Sequence, residues 1–316
     1  MARLTAMPNR KLMMFAGLAF TFGTGEFVAA DIINVPGDFG TIQAAIDAAS
    51  DGDVVVVAPG TYNELLDFNG KPITVRSTDP TDPDVVAATI IDGGGSGTVV
   101  TCKSGEGPDT VLSGFVITGG GGEASAGGGM WVRLNSSPTI SHCTFSDNVA
   151  GGDGGGLTLN GGSSTVTHCT FANNTAGTGG GMIIDDGSPT VSNCTFVNNA
   201  ANIGGGMASF GASLTVIDCT FSGNMASFGG GAMWNHDTSA TVTNCTFSGN
   251  ISSLEGGAMD NSFGSIVNDQ VHSRGGFYGP NVAALAADQT PLHLIVGERH
   301  HGGGGLRYDF GGQTLD

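Results

Sequence analysis

Fifty-six glycines in 316 residues, without a Gly-X-Y period, exclude a collagen-like rod and point to a chain of tight turns. Only 12% of residues are charged and 39% are apolar, so the formal charge of −18 does not belong to a disordered acidic tail. Between Ser104 and Ser273 the one Lys or Arg is Arg133. That excludes a surface that follows nucleic-acid phosphates, and one that holds polyanionic sugars without a bridging divalent cation.

Residues 1–30 have the pattern of an export signal. Arg3, Arg10 and Lys11 make a basic start, residues 12–22 are mostly apolar, and Val28-Ala29-Ala30 is a small-residue cleavage site before Asp31. The apolar run is too short for a permanent membrane span, and no later segment is long and apolar enough. A secreted or cell-surface protein with no transmembrane segment after signal removal is expected.

Residues 32–35 suit a short strand. Thr41 caps a helix predicted over residues 42–49, with Ile42, Ala45, Ile46 and Ala49 on one face. Such a helix covers the first exposed strands, because an open stack end invites edge pairing. Residues 53–58, with four consecutive valines, are predicted as a strand buried on both sides. Pro59-Gly60 turns the chain, and further strands are predicted over residues 73–75, 89–91, 99–101 and 111–117.

The phrase Cys-Thr-Phe-x-x-Asn then recurs at Cys143, Cys169, Cys194, Cys219 and Cys245, at intervals of 26, 25, 25 and 26 residues. Each copy is followed by a glycine run and, usually, a methionine. A fixed period of this length marks a stack of units, none of which can bury its own apolar face. Gly and β-branched residues oppose a helical unit, so three short strands and three turns make one coil. About nine coils at about 4.8 Å each give a stack about 40 Å long. Like residues should sit on like. Phe145, Phe171, Phe196, Phe221 and Phe247 form one interior column, and Val166, Val191, Val216 and Val242 another. Asn148, Asn174, Asn199, Asn224 and Asn250 are placed at a bend, where Asn bonds backbone and tolerates a left-handed conformation. The residue before each Cys (His142, His168, Asn193, Asp218, Asn244) is of the type most often found at positive φ, which places a tight turn there. From Asn268 the phrase is lost, and residues 268–316 form either a cap on the open end or a partly disordered tail.

The alternation of Gly-Gly-Gly/Ala-Met with Phe-x-x-Asn, as in Gly179-Gly180-Gly181-Met182 and Phe196 to Asn199, resembles the repeats of polymorphic outer-membrane proteins over residues 127–259. That resemblance implies an all-β, single-stranded right-handed parallel β-helix, displayed at a surface and adhesive; self-anchoring by that family's C-terminal membrane barrel is not expected from the residues after the repeats. Residues 37–64, including Gly60-Thr61-Tyr62-Asn63-Glu64, are similar to the opening coil of pectinesterases and other pectin-lyase-fold enzymes. The catalytic motifs of those enzymes are missing. No Gln-Asp dipeptide occurs, and of the polygalacturonase motifs only Asp185-Asp186 is present. The expected organisation is an export signal over 1–30, a β-helix with a short N-terminal capping helix over 31–267, and the C-terminal segment.

Three residue sets carry the functional alternatives. The cysteine column reads as buried free thiols, because identical stacked positions point their side chains in parallel and a stacked core treats Cys as a small hydrophobe. Zinc at His142 and His168 with their adjoining cysteines is disfavoured, since chain neighbours in extended structure face opposite ways. The strand after each glycine run is the functional candidate. If Met130, Met182, Met207, Met233 and Met259 point inward, the residues one and three beyond point outward. These include Trp131 and Arg133, Thr158 and Asn160, Ile183 and Asp185, Ala208 and Phe210, Trp234 and His236, and Asp260 and Ser262. From these, Trp131, Arg133, Asp185, Phe210, Trp234, His236 and Asp260 form a candidate sugar platform, with aromatic faces to stack and polar groups to orient. Packing of the same residues under the glycine-rich turns is the competing reading. Asp185, Asp186 and Asp260 lack a paired carboxylate for glycoside hydrolysis and read as solvated. The run Gly151-Gly152-Asp153-Gly154 leaves calcium open as a cofactor, without the nonapeptide of calcium-binding β-rolls. The leading expectation is a non-catalytic binding module for a polysaccharide or cell-surface partner. The alternatives are a polysaccharide-degrading lyase, glycoside hydrolase or esterase with an atypical site, and a structural envelope or matrix protein.

Overall fold

The computed structural model describes residues 30–278, apart from 123–126, 255, 263–264, 270–271 and 275–276, with side chains to residue 265. The expected export signal over residues 1–30 thus lies outside the described residues but for its last position.

The chain winds through three parallel sheets of 10, 9 and 9 strands. The first sheet runs from Ile32–Val35 to Ser265–Asp269, the second from Gly60–Asn63 to His272–Arg274, and the third from Leu66–Asp67 to Phe277–Tyr278. Those last three strands carry the stack past residue 267; the rest of the expected cap or tail is outside the described residues. One coil comprises Thr165–Thr167, Thr170–Ala172 and Met182–Asp185. A fourth, narrow ribbon of short strands, such as Ala200–Ile203 beside Met225–Gly229, follows the second sheet and precedes the glycine run. The three-strand expectation omitted it.

Register is direct. Val166 pairs with Val191 and Phe171 with Phe196, so the interior is made of columns. Neighbouring rings in the column from Phe145 to Phe247 are stacked, 4.6 to 4.9 Å between centroids. Its side chains are almost wholly buried, as are Val166, Val191, Val216 and Val242. All six cysteines are buried and free. In the repeats each thiol turns back on the carbonyl two residues earlier, as Cys194 Sγ does to Ser192 O at 3.1 Å.

Turn chemistry explains the repeated phrase. His142, His168, Asn193, Asp218 and Asn244 all have φ between 50° and 54°, as their types predict. The asparagine column differs from expectation. The left-handed position is the residue before each Asn (Asp147, Asn173, Asn198, Gly223, Gly249), with φ of 55° to 64°. The asparagines themselves are buried and saturated with hydrogen bonds. Two adjacent Asn in a sequence do not reveal which one bends the chain and which one bonds.

At the N-terminal end, helix α1 (Ile42–Ala48) buries Ile42, Ala45 and Ile46 against the first coil. Thr41 Oγ1 accepts from Ala44 N at 3.2 Å, and the Glu64 carboxylate accepts from Ile42 N and Gln43 N at 2.9 and 3.0 Å. Lys71 Nζ donates to the carbonyls of Ile46, Asp47 and Ala49 at the other end. A negative group at the start and a positive one at the end both oppose the helix dipole. The valine strand, Val54–Val57, buries only Val55 and Val57, so it is covered on one face, not two. Residues 111–117 form two strands, Val111–Ser113 and Val116–Thr118, because Gly114 turns the chain with φ of 82°. A second helix, α2 (Pro83–Ala88), was not foreseen. Asp82 caps it by accepting from Asp84 N at 2.9 Å, and Pro83 supplies its preset φ.

Candidate functional site

The outward side of the third sheet divides into two columns. The first, one residue beyond each methionine, lies beneath the glycine runs. A Cβ on Gly204 would come within 2.7 Å of Ala208 Cβ, and one on Gly230 within 2.8 Å of Trp234 Cβ. Thr158, Ile183, Ala208 and Asp260 are therefore buried, which corrects their assignment to an open face. Asp260 is only 1% exposed. The glycines lack side chains because the loop must lie this close. Trp131 and Trp234 are only partly buried.

The second column, three residues beyond, stays accessible along the loop's rim. Its members are Arg133, Asn160, Asp185, Phe210, His236 and Ser262. From Arg133 to His236 it covers five coils, four spacings or about 19 Å at the usual strand spacing. Its lower half is polar. Trp131 Nε1 donates to Asn160 Oδ1 at 2.7 Å, and Asn160 Nδ2 reaches Asp185 Oδ2 at 3.4 Å. The Arg133 guanidinium lies 4.5 Å from the Trp131 ring centroid, in cation–π contact. Its upper half is aromatic. Phe210, the register partner of Asp185, has its ring 4.9 Å from Trp234 and tilted 58°. Trp234 and His236 are stacked at 5.4 Å and 4°.

Charge around the rim is negative. Burial and the neighbouring Asp185 raise the Asp153 carboxyl above its ordinary value. Burial raises that of Asp260 to about 6, although the Trp234 side chain hydrogen-bonds it and pulls the other way. The run that holds Asp153 was the one that suggested calcium. Among the described residues no three His, Cys, Asp or Glu side chains converge on one point.

The structure thus joins Trp131 to Asp185 through Asn160, sets Arg133 on the Trp131 ring, and joins Phe210, Trp234 and His236 by ring contacts. Asp260 lies below the surface, where it meets Trp234. Asn160 belongs to the site although the smaller platform omitted it; its signal was its place one coil above Arg133.

The profile of the family described as right handed beta helix region matches residues 74–247, more than half of the chain. The chain belongs to this right-handed β-helix family. No curated protein matches it. Among solved structures, this β-helix is similar to pectate lyase Pel9A, with 15% identity and a TM-score of 0.51 over 86% of this chain and 76% of that one. It is also similar to the pectin methylesterase from Aspergillus niger, with 14% identity and a TM-score of 0.43 over 84% and 82% of the two chains. At such identities the likeness is one of fold.

Proposed function

We propose that this β-helix is an exported, non-catalytic binding module whose ligand is a neutral glycan, held along the rim from Arg133 to His236. The observation that carries the reading is the continuous column: an aromatic ledge of Phe210, Trp234 and His236 on one coil pair, joined to the polar set Asp185, Asn160, Trp131 and Arg133 on the coils below. Sugar rings offer C–H faces to aromatic rings and hydroxyls to carboxylates and amides, and a linear chain suits a straight column. Neutrality of the ligand follows from charge. The single cation of the rim is already engaged with Trp131, while Asp153 and Asp185 lie together on the middle coils and Asp237 beside His236, so a polyuronate meets net repulsion. Export rests on the residue pattern before Asp31.

A glycan array with the mature chain is the direct test. Neutral oligosaccharides should bind, and Phe210→Ala or Trp131→Ala should weaken that binding at least about tenfold, the scale of losing one stacking contact with its hydrogen bond. Release of shortened or unsaturated products from a polysaccharide panel would replace the binding module with an enzyme. Exclusive binding of uronates would refute the charge argument.

A further inference from the structure

A second group of side chains lies away from the rim, at the turn between the first and second sheets. The positions preceding the repeat cysteines, His142, His168, Asn193, Asp218 and Asn244, form a column that continues in the coil below at the buried Gly114. The His142 and His168 rings are parallel to within 6°, with centroids 4.9 Å apart. They border a cavity of about 320 Å³ whose other walls include Pro80, Pro83, Val86 and Ala87 from α2 and its approach. This wall exists because the coil below carries glycine. A Cβ on Gly114 would meet Pro80 Cα at 2.6 Å, so the loop seats there and leaves the next two coils open beside it.

We propose that His142 and His168 together bind one divalent transition-metal ion of the imidazole-preferring class, Ni²⁺, Cu²⁺ or Zn²⁺, with water in the remaining positions. Three features support it. Both imidazoles border the same opening from adjacent coils, with ring centroids 4.9 Å apart. His168 Nδ1 is 2.9 Å from Thr167 Oγ1, which also accepts from Ser192 Oγ at 3.0 Å. Of the two directions this contact can take, the one in which Nδ1–H donates to Thr167 Oγ1 is the one that leaves Nε2 as the free ligand atom, the usual outer contact of a metal-bound imidazole. The acidic chain, with charge −18, also concentrates divalent cations at its surface. Two metal–nitrogen bonds of about 2.1 Å reach at most about 4.2 Å, so the rings must tip together at their outer edges, and the cavity leaves room for that. No third His, Cys, Asp or Glu joins them among the described residues, which gives an open site and not a closed structural zinc site. Cys143 is not a ligand, since its thiol turns inward to Ser141 O at 3.2 Å.

The test is equilibrium dialysis of the full chain against NiCl₂ with excess MgCl₂ to occupy surface carboxylates. The variants are His142→Asn, His168→Asn and both together. Asn keeps the turn, because Asn193 and Asn244 hold the same position with φ of 52° and 50°. Histidines elsewhere are common to all four proteins, so the difference reports this pair. The unaltered chain should bind one more equivalent than the double variant, and each single variant should hold that equivalent at least about tenfold more weakly. Equal binding by the unaltered chain and the double variant overturns the proposal, as does full affinity in either single variant. Residue-mapped carbethoxylation gives the same reading without a variant. Ni²⁺ should protect both His142 and His168, and failure to protect either one refutes the shared site.

Discussion

Asn199 Nδ2 donates to Asn224 Oδ1 at 2.9 Å, while Asn199 Oδ1 accepts from both N and Nδ2 of Asn174 at 3.0 Å. The remaining amide proton goes to Phe171 O at 2.9 Å. Each amide is thus a link in a column that ties successive coils and leaves no buried polar atom of its own unmet.

Asn199→Ala removes a link from the middle of this column and leaves partners on the neighbouring coils unsatisfied. The expected cost is about 3 kcal/mol, from one to three for each orphaned buried group, partly relieved by water. Hydrogen exchange should show loss of protection centred on residues 171–224. Unchanged protection there would mean that the column is not a principal inter-coil tie.

Adjacent glycines should respond very differently to Ala. A Cβ on Gly205 would sit 2.4 Å from Met225 O and 2.5 Å from Gly231 O, both backbone atoms that cannot step aside. On Gly206 the nearest atoms are Ala232 O at 2.7 Å and the Phe221 ring edge at 3.1 Å, and the next two coils already carry alanine there, as Ala232 and Ala258. Gly205→Ala should lower thermal stability severely and Gly206→Ala only mildly. Equal losses in two melting curves would contradict the packing.

Asp260 should make the protein less stable as pH rises. Its carboxyl is held at about 6 by burial, against 3.8 as the ordinary value. The folded chain therefore binds this proton more tightly than the unfolded chain does. That advantage is complete below about pH 4 and is lost as pH climbs to about 6, a change of at most about 3 kcal/mol. Asp260→Asn should flatten the stability profile between pH 4 and 6 and raise stability at pH 8. A profile identical to that of the unaltered protein would contradict a buried carboxyl at this position.

Thiol chemistry reports on the core. All six cysteines are buried, so a thiol reagent should label none rapidly in the native protein and all six after denaturation. Rapid native labelling of Cys194, at the centre of the column, would show that the coils do not stack as described.

The interior columns were legible in the chain because a coil that lies directly on the next repeats its chemistry at one period: Phe196 above Phe171, Cys194 above Cys169. The outward rim was legible only by half. Alternation along a strand shows that Ala208 and Asp260 face away from the core, but not that a glycine loop crosses over them. The same loop leaves Phe210 and His236 accessible two residues later. Helix α2 escaped notice because six residues are too few to show a periodic face, and Asp82-Pro83 also fits a turn.

By itself, then, the sequence determined the coil: its period, its inward columns, and the left-handed turns before the cysteines. All of these follow from local backbone preference and from burial, which each unit feels alone. Tertiary structure decided which outward residues meet. Contacts such as Trp131 with Asn160, or Phe210 with Trp234, join residues a full coil apart in the chain, and their exposure depends on the route of a loop whose glycines carry no side-chain signal. The cavity beside His142 and His168 exists for the same reason, since a loop some sixty residues earlier rests on Gly114 and stops there.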